Sequence, residues 1–239
     1  MNKNWKSRYE LPVISKLKIN VDIERLKKEV ALYIENKPWD SFGNEYYELC
    51  KSYTIIPETF FEKSYQEEND ICKINWNKSP YRQIGLTEFD NNFDLSKRNV
   101  KSGTAWDKRI SRKKSILDER WYRKFKSDIP EYLKEILDNF KNVHRTRFSE
   151  LAPKSEVKPH IDYDTTYSIR LHIALSTNDK CVNGGWDKDG NEVIKHIPDD
   201  GSIWFVNTGV RHYAKNLGNT SRNHLIIGLD SQDVIENYL

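Results

Sequence analysis

Between residues 143 and 229 the chain is cut into short runs of alternating character by turn-forming residues, and this punctuation restricts the fold more than any other feature. Alternation with a period of two sends neighbouring side chains to opposite faces of a strand, whereas a helix would need apolar residues three and four apart. Eight candidate strands result: Val143–Glu150, Ser155–Ile161, Tyr167–Ser176, Cys181–Trp186, Asn191–Ile197, Gly201–Val206, His212–Leu217 and Arg222–Leu229. The breaks among them include Pro153, Gly184-Gly185, Asp189-Gly190, Pro198 to Gly201 and Gly218-Asn219. So many short strands in so few residues predict an antiparallel double-stranded β-helix, or jelly roll.

Upstream the period changes. From Asp22 to Lys37 the residues Ile23, Leu26, Val30, Tyr33 and Ile34 recur at helical spacing, with Asp22 as a cap and Pro38 closing the segment. A second stripe of Ile129, Tyr132, Leu133, Ile136, Leu137 and Phe140 predicts a helix over 129–140, with Asp128 and Glu131 spaced as a capping box. Residues 39–115 scatter aromatic side chains without a sustained period, and no linker divides the chain. The expected architecture is therefore mainly β with flanking helices. Residues 1–140 form an N-terminal α/β extension that supports the core and closes over it as a substrate lid, and 141–239 form the catalytic jelly roll.

With 37% hydrophobic and 31% charged residues, 7 Trp and 13 Tyr, the chain is too aromatic for a disordered protein. No apolar run is long enough to span a membrane, and the first residues lack the apolar core of a signal peptide, which predicts a cytoplasmic protein. Cys50, Cys72 and Cys181 show no C-x-x-C spacing and are expected as free thiols. Between residues 95 and 126 there are twelve Lys or Arg and three acids, a net of +9 against +3 for the whole chain. This stretch is either a solvated basic surface or a docking face for an acidic partner such as a phosphorylated substrate or a carrier protein; nucleic acid is the less expected partner.

His160 and Asp162, in K-P-H-I-D-Y-D, leave the same face of an extended strand and can grip one ion together. His212 can complete two imidazoles and a carboxylate, the facial triad of non-heme Fe(II) oxygenases. Arg170 and His172 alternate on one face of their strand, and Arg222 and His224 do the same on theirs, as though lining a cavity. The planar fork of an arginine there suits the distal carboxylate of a 2-oxo acid. Each residue also has an ordinary reading: a core histidine, a turn aspartate, a surface histidine, a salt-bridged arginine.

The strings F-S-E-L-A-P-K-S-E-V-K-P-H-I-D, R-L-H-I-A-L, G-S-I-W-F-V-N-T-G-V-R-H-Y-A-K-N and R-N-H-L-I-I-G-L resemble the aspartyl/asparaginyl β-hydroxylase family of Fe(II)/2-oxoglutarate dioxygenases, which includes free proline hydroxylases. The likeness covers roughly residues 143–230 and implies a cupin-like core. It further implies that His160, Asp162 and His212 hold iron, that Arg222 holds the 2-oxoglutarate C5 carboxylate with help from Ser149, and that Arg170 and His172 meet the iron-proximal end of 2-oxoglutarate. Membrane-bound members carry Gly at the aspartate position, so this chain is closer to the small soluble branch. The implied cofactors are Fe(II), 2-oxoglutarate and O2, and the implied reaction is hydroxylation of an unactivated C–H bond with decarboxylation of 2-oxoglutarate to succinate and CO2. A small amino-acid-like substrate is expected. The alternatives are a peptide or carrier-bound amino acid, a non-catalytic cupin-like metal- or ligand-binding protein, and a zinc-dependent isomerase or hydrolase.

Overall fold

Each of the eight runs contributes a strand to a computed structural model that describes residues 5–37, 39, 81–90 and 119–239. These core strands are β5 (Val143–Leu151), β6 (Ser155–His160), β7 (Ile169–Ser176), β8 (Cys181–Trp186), β9 (Glu192–Lys195), β10 (Ser202–Val206), β11 (His212–Asn216) and β12 (Arg222–Leu229). Ahead of them come β1 (Ile14–Asn20), helix α1 (Ile23–Glu35), β2 (Tyr81–Gly85), β3 (Thr87–Phe89), a short 3-10 turn (Glu119–Trp121), β4 (Tyr122–Phe125) and helix α2 (Glu131–Asp138). A last helix, α3 (Asp233–Tyr238), follows.

The major sheet runs β1-β10-β7-β12-β5-β2 and the minor sheet β6-β11-β8-β9, all neighbours antiparallel. Following the chain from β5, it crosses between these two sheets at nearly every connection, which is the winding of a double-stranded β-helix. The extension adds β1 and β2 to the two edges of the major sheet, and β3 pairs separately with β4.

The alternation of β7 decides where the core lies. Ile169, Leu171, Ile173 and Leu175 join Leu225, Ile227 and Phe205 beneath the apolar stripes of α1 (Leu26, Val30) and α2 (Leu133, Ile136, Leu137). The opposite face of the same strands, carrying Arg170, His172, Arg222 and His224, turns inward between the sheets and is also buried. A strand covered on both faces is ordinarily apolar throughout. Charged residues on one such face mark a lined cavity, not a solvated surface.

Three local expectations are corrected. Asp22 caps α1 as expected, accepting from the Arg25 amide at 3.1 Å, but the capping box at α2 does not form. Pro130 occupies its N-cap without a side-chain bond, the helix begins at Glu131, and the Asp128 carboxylate is taken by Lys37 Nζ. Gly184-Gly185 is no break; it lies inside β8 because β11 packs too closely for side chains there. A Cβ on Gly184 would stand 2.2 Å from the Tyr213 ring, and one on Gly185 2.8 Å from Val13 Cγ1. Finally β1, absent from the sequence reading, has its alternation disturbed by a register shift between Lys16 and Asn20.

Cys181 is a buried free thiol. Cys50, Cys72, Pro38, residues 95–118 of the basic stretch and most of 39–115 lie outside the described residues. Among the described residues no helix is long and apolar enough to cross a membrane.

Candidate metal centre and its pocket

Antiparallel pairing of β6 with β11 sets His160 directly opposite His212. Their rings stand 4.3 Å apart between centroids, tilted by 51°. Asp162, just beyond β6, reaches the same point: its carboxylate oxygens are 3.7 Å from His160 Nε2 and 4.0 Å from His212 Nε2. The three ligand atoms all lie within 4.8 Å of one another, a spacing that can close on one ion.

The surroundings fit that use. His160 Nδ1 lies 2.7 Å from the Lys158 carbonyl and His212 Nδ1 3.0 Å from the Val210 carbonyl. A carbonyl can only accept, so each Nδ1 carries the proton and each Nε2 presents its lone pair to the centre. Burial opposes ionisation of Asp162, but the facing His212 and His160 hold its carboxyl below the usual range. Burial likewise lowers His212, against the pull of Asp162, favouring the neutral ring a metal needs. Two neutral imidazoles and a carboxylate form a donor set suited to a divalent transition metal.

Seven of the eight residues singled out in the sequence line one pocket, His160, Asp162, His212, Ser149, Arg170, His172 and Arg222, whereas His224 stands behind Arg222 and is not part of the lining. Arg222 sits on β12 with its Nη2 donating to Asn183 Oδ1 at 2.8 Å and its Nε to His224 Nε2 at 3.1 Å, which leaves Nη1 without a hydrogen bond among the described residues. Burial pulls this guanidinium down to about 10, still charged near neutrality. His172 and His224, with Nδ1 atoms 3.3 Å apart, are both pushed well below the ordinary imidazole value by burial and by Arg222, and are therefore neutral.

Arg170 is differently engaged. Its Nη2 donates at 2.7 Å to Glu119, a fully buried carboxylate that also accepts from Arg145. Burial would raise the Glu119 carboxyl, but Arg170 and Arg145 hold it far below the usual range.

The lining residues that sequence reasoning missed include Tyr81, Arg147, Asn183 and Thr208, and it missed the Glu119 carboxylate behind Arg170 as well. Arg147 has one bond, Nη1 to the Arg145 carbonyl at 3.0 Å, and its Nε has no hydrogen-bond partner among the described residues. Burial and the neighbouring Arg145 and Arg170 draw it down to about 10. For the Tyr81 phenol, burial raises the pKa, but Arg147 and the neighbouring Ser149 hydroxyl lower it more.

The family model for aspartyl/asparaginyl β-hydroxylases matches residues 36–231, most of the chain and all of the pocket. The chain belongs to the aspartyl/asparaginyl β-hydroxylase family. Its likeness extends to the L-proline cis-4-hydroxylase of Rhizobium meliloti (strain 1021), 32% identical over 114 residues, which is 45% of this chain and 38% of that relative. The match to this relative thus spans less than half of either protein. Among solved structures it is similar to an oxidoreductase of the 2OG-Fe(II) oxygenase family from Burkholderia pseudomallei, at 15% identity over 37% of this chain and 45% of that one, with a TM-score of 0.33. A cupin 2 conserved barrel domain protein from Salinispora arenicola matches at 17% identity over 39% of this chain and 68% of its own, with a TM-score of 0.27. The β-hydroxylase family assignment rests on the first of these findings, and the β-helix itself on the strand order described above.

Proposed function

We propose that this family member is an Fe(II)- and 2-oxoglutarate-dependent oxygenase that hydroxylates a C–H bond of a small amino-acid-like substrate. The observation that carries the reading is a three-ligand cluster sharing one pocket with two buried guanidiniums, Arg222 and Arg147, neither ion-paired among the described residues. An unpaired buried charge is costly, and evolution retains one where an incoming counter-charge will meet it. Two such cations call for two anions, and a dicarboxylate cosubstrate together with an amino acid supplies them. The cavity enclosed by the described residues measures about 80 Å³.

In this reading His160, Asp162 and His212 hold Fe(II), which supplies oxygen activation coupled to decarboxylation of 2-oxoglutarate to succinate and CO2. Arg222, held from behind by Asn183 and His224, fixes the distal carboxylate of the cosubstrate, and Ser149 stands on the neighbouring strand opposite His224. Neutral His172 offers a polar wall that adds no charge beside the metal. Arg147, with Tyr81 beside it, takes the carboxylate of the substrate and so aims one of its carbons at the centre, a positioning role and not an acid–base one. Tyr81 reaches the pocket from β2, which supports a part for the N-terminal extension in enclosing the substrate.

The test is succinate formation by protein supplied with Fe(II), 2-oxoglutarate and air, with and without a pool of amino acids. Succinate that rises with one pool member and is abolished in His160→Ala is the expected result. Metal binding without succinate above the His160→Ala level, with free amino acids, peptides and carrier-bound amino acids alike, would overturn the oxygenase reading in favour of a binding protein.

A further inference from the structure

The three ligands come from two stretches of chain, the end of β6 with the residues just past it and the start of β11, and one side chain far away in sequence ties the segments beside them together. Three consecutive carbonyls precede His212. Thr208 O accepts from the Asp162 amide at 2.8 Å, and Val210 O holds His212 Nδ1 at 3.0 Å. The carbonyl between them, Gly209 O, accepts from Arg8 Nη1 at 2.7 Å, while Arg8 Nε donates to Asp164 Oδ2 at 2.6 Å. Asp164 lies two residues beyond Asp162, and its other oxygen accepts from the Thr166 amide and hydroxyl at 3.0 and 2.8 Å. One guanidinium therefore clamps the H-x-D loop to the peptide whose two neighbours orient Asp162 and His212.

We propose that Arg8 is a positioning residue for the metal centre, setting the separation of the Asp162 and His212 loops. The proposal rests on the metal-centre reading above. Arg8 is itself firmly placed. Its carbonyl accepts from Asn207 Nδ2 at 2.8 Å, and Asn207 Oδ1 accepts from the Gly209 amide at 3.2 Å. Two residues earlier, the Lys6 amide donates to Gln232 Oε1 and its carbonyl accepts from Gln232 Nε2, at 2.8 Å each, and Gln232 Nε2 also donates to Thr165 O at 2.7 Å. The strap formed by residues 6–13 is thus fastened by backbone and amide bonds that do not involve the guanidinium. Space at the junction is tight: a Cβ on Gly209 would lie 3.0 Å from Tyr163 O and 3.1 Å from Arg8 Cβ. With side-chain exposures of 22% and 17%, the Arg8–Asp164 pair is largely screened from solvent.

These facts separate two roles. The strap bonds keep the fold, whereas the guanidinium fixes the orientation of the Gly209 peptide, and that orientation sets the direction of the carbonyls on either side. A lysine keeps the charge but has no planar fork to span an acid and a carbonyl at once.

The experiment is Co(II) titration of the full chain after chelator treatment, read by calorimetry and by the cobalt visible spectrum, for wild type, Arg8→Gln, Arg8→Lys and His160→Ala. Melting temperatures of the metal-free proteins are measured alongside. Arg8→Gln is expected to weaken Co(II) binding about 10- to 100-fold, the usual effect of losing a partner that orients a ligand, and to change the visible spectrum. Arg8→Lys should fall between Arg8→Gln and wild type, with metal-free melting close to wild type. Co(II) affinity within twofold of wild type in both Arg8 variants would overturn the proposal and leave Arg8 a fastening of the fold. Should Arg8→Gln fail to fold, Arg8→Lys decides by the same criterion. If wild type binds Co(II) no more tightly than His160→Ala, the metal-centre reading itself falls, a result distinct from the failure of Arg8 alone.

Discussion

At the scale of single residues, the pocket sorts its arginines by partner. Arg170 shares the Glu119 carboxylate with Arg145, whereas Arg147 and Arg222 have no acidic partner among the described residues, and on the proposed function the two should separate in binding experiments. Arg222→Lys is expected to weaken 2-oxoglutarate binding about 10- to 100-fold, the worth of one or two charge-assisted hydrogen bonds. Arg147→Gln should leave 2-oxoglutarate affinity within a few-fold of wild type and raise the KM for the amino-acid substrate. Calorimetry with Mn(II)-loaded protein measures the first, and succinate release against substrate concentration the second. Equal loss of 2-oxoglutarate binding in both variants would show that one anion spans both sites. His160, Arg170, His172, His212 and Arg222 were legible because strand alternation places them on inward faces, and Asp162 because it follows His160 by two residues, although it lies just past the end of β6. Arg147 could have been found by the same logic, two residues before Ser149 on one face of β5. Tyr81 and Glu119 could not, since Tyr81 reaches the pocket through the pairing of β2 with β5 and Glu119 backs it through an ion pair with Arg170, both between segments distant in the chain.

At the scale of elements, β8 shows where reading turn residues by type misleads. Glycine marks a break when its backbone freedom is needed, but inside a sheet it can mark the close approach of a neighbour. Tyr213 of β11 lies across Gly184 and donates to Glu192 Oε1 at 2.9 Å, pinning the ring over the glycine. Gly184→Ala should therefore destabilise the fold by about 1–3 kcal/mol through overpacking. The same substitution in a Tyr213→Ala background should cost well under half as much, because the obstructing ring is gone. Urea denaturation of the four proteins in the cycle measures this, and additive effects would rule out the ring as the reason for the glycine. At α2 the sequence supplied the right stripe and the wrong start: Pro130 has no amide to cap, and Asp128 is better satisfied by the Lys37 ammonium. The stripe was legible because burial enforces it, and the helix end was not because competing local partners decide it.

At the scale of the whole molecule, lining a β-helix with histidines and arginines makes stability depend on pH in a definite direction. His144, buried against Ser168, is lowered by burial to about 3, and His172 and His224 are pushed well below the ordinary value by burial and by Arg222. A histidine that binds its proton less readily folded than unfolded favours the unfolded chain as pH falls below about 6.5, the unfolded value. The stabilisation is therefore full above that pH and is lost progressively towards the depressed folded values. Glu119 has the same sign but acts only below the ordinary carboxylate range, so between pH 7 and 5 the histidines dominate. Each of these histidines, and His212 with them, contributes at most about 1.4 kcal/mol per pH unit, a limit reached once the unfolded ring is protonated and the folded one is not. Urea midpoints of the metal-free protein should fall from pH 7 to pH 5, and His144→Gln, which removes one of four histidines lowered by burial, should flatten the slope by about a quarter. An unchanged slope in that variant would place the proton uptake elsewhere. A midpoint independent of pH across this range would mean that the buried rings take up their protons without unfolding, which neutral histidines packed beside Arg222 cannot do at so little cost.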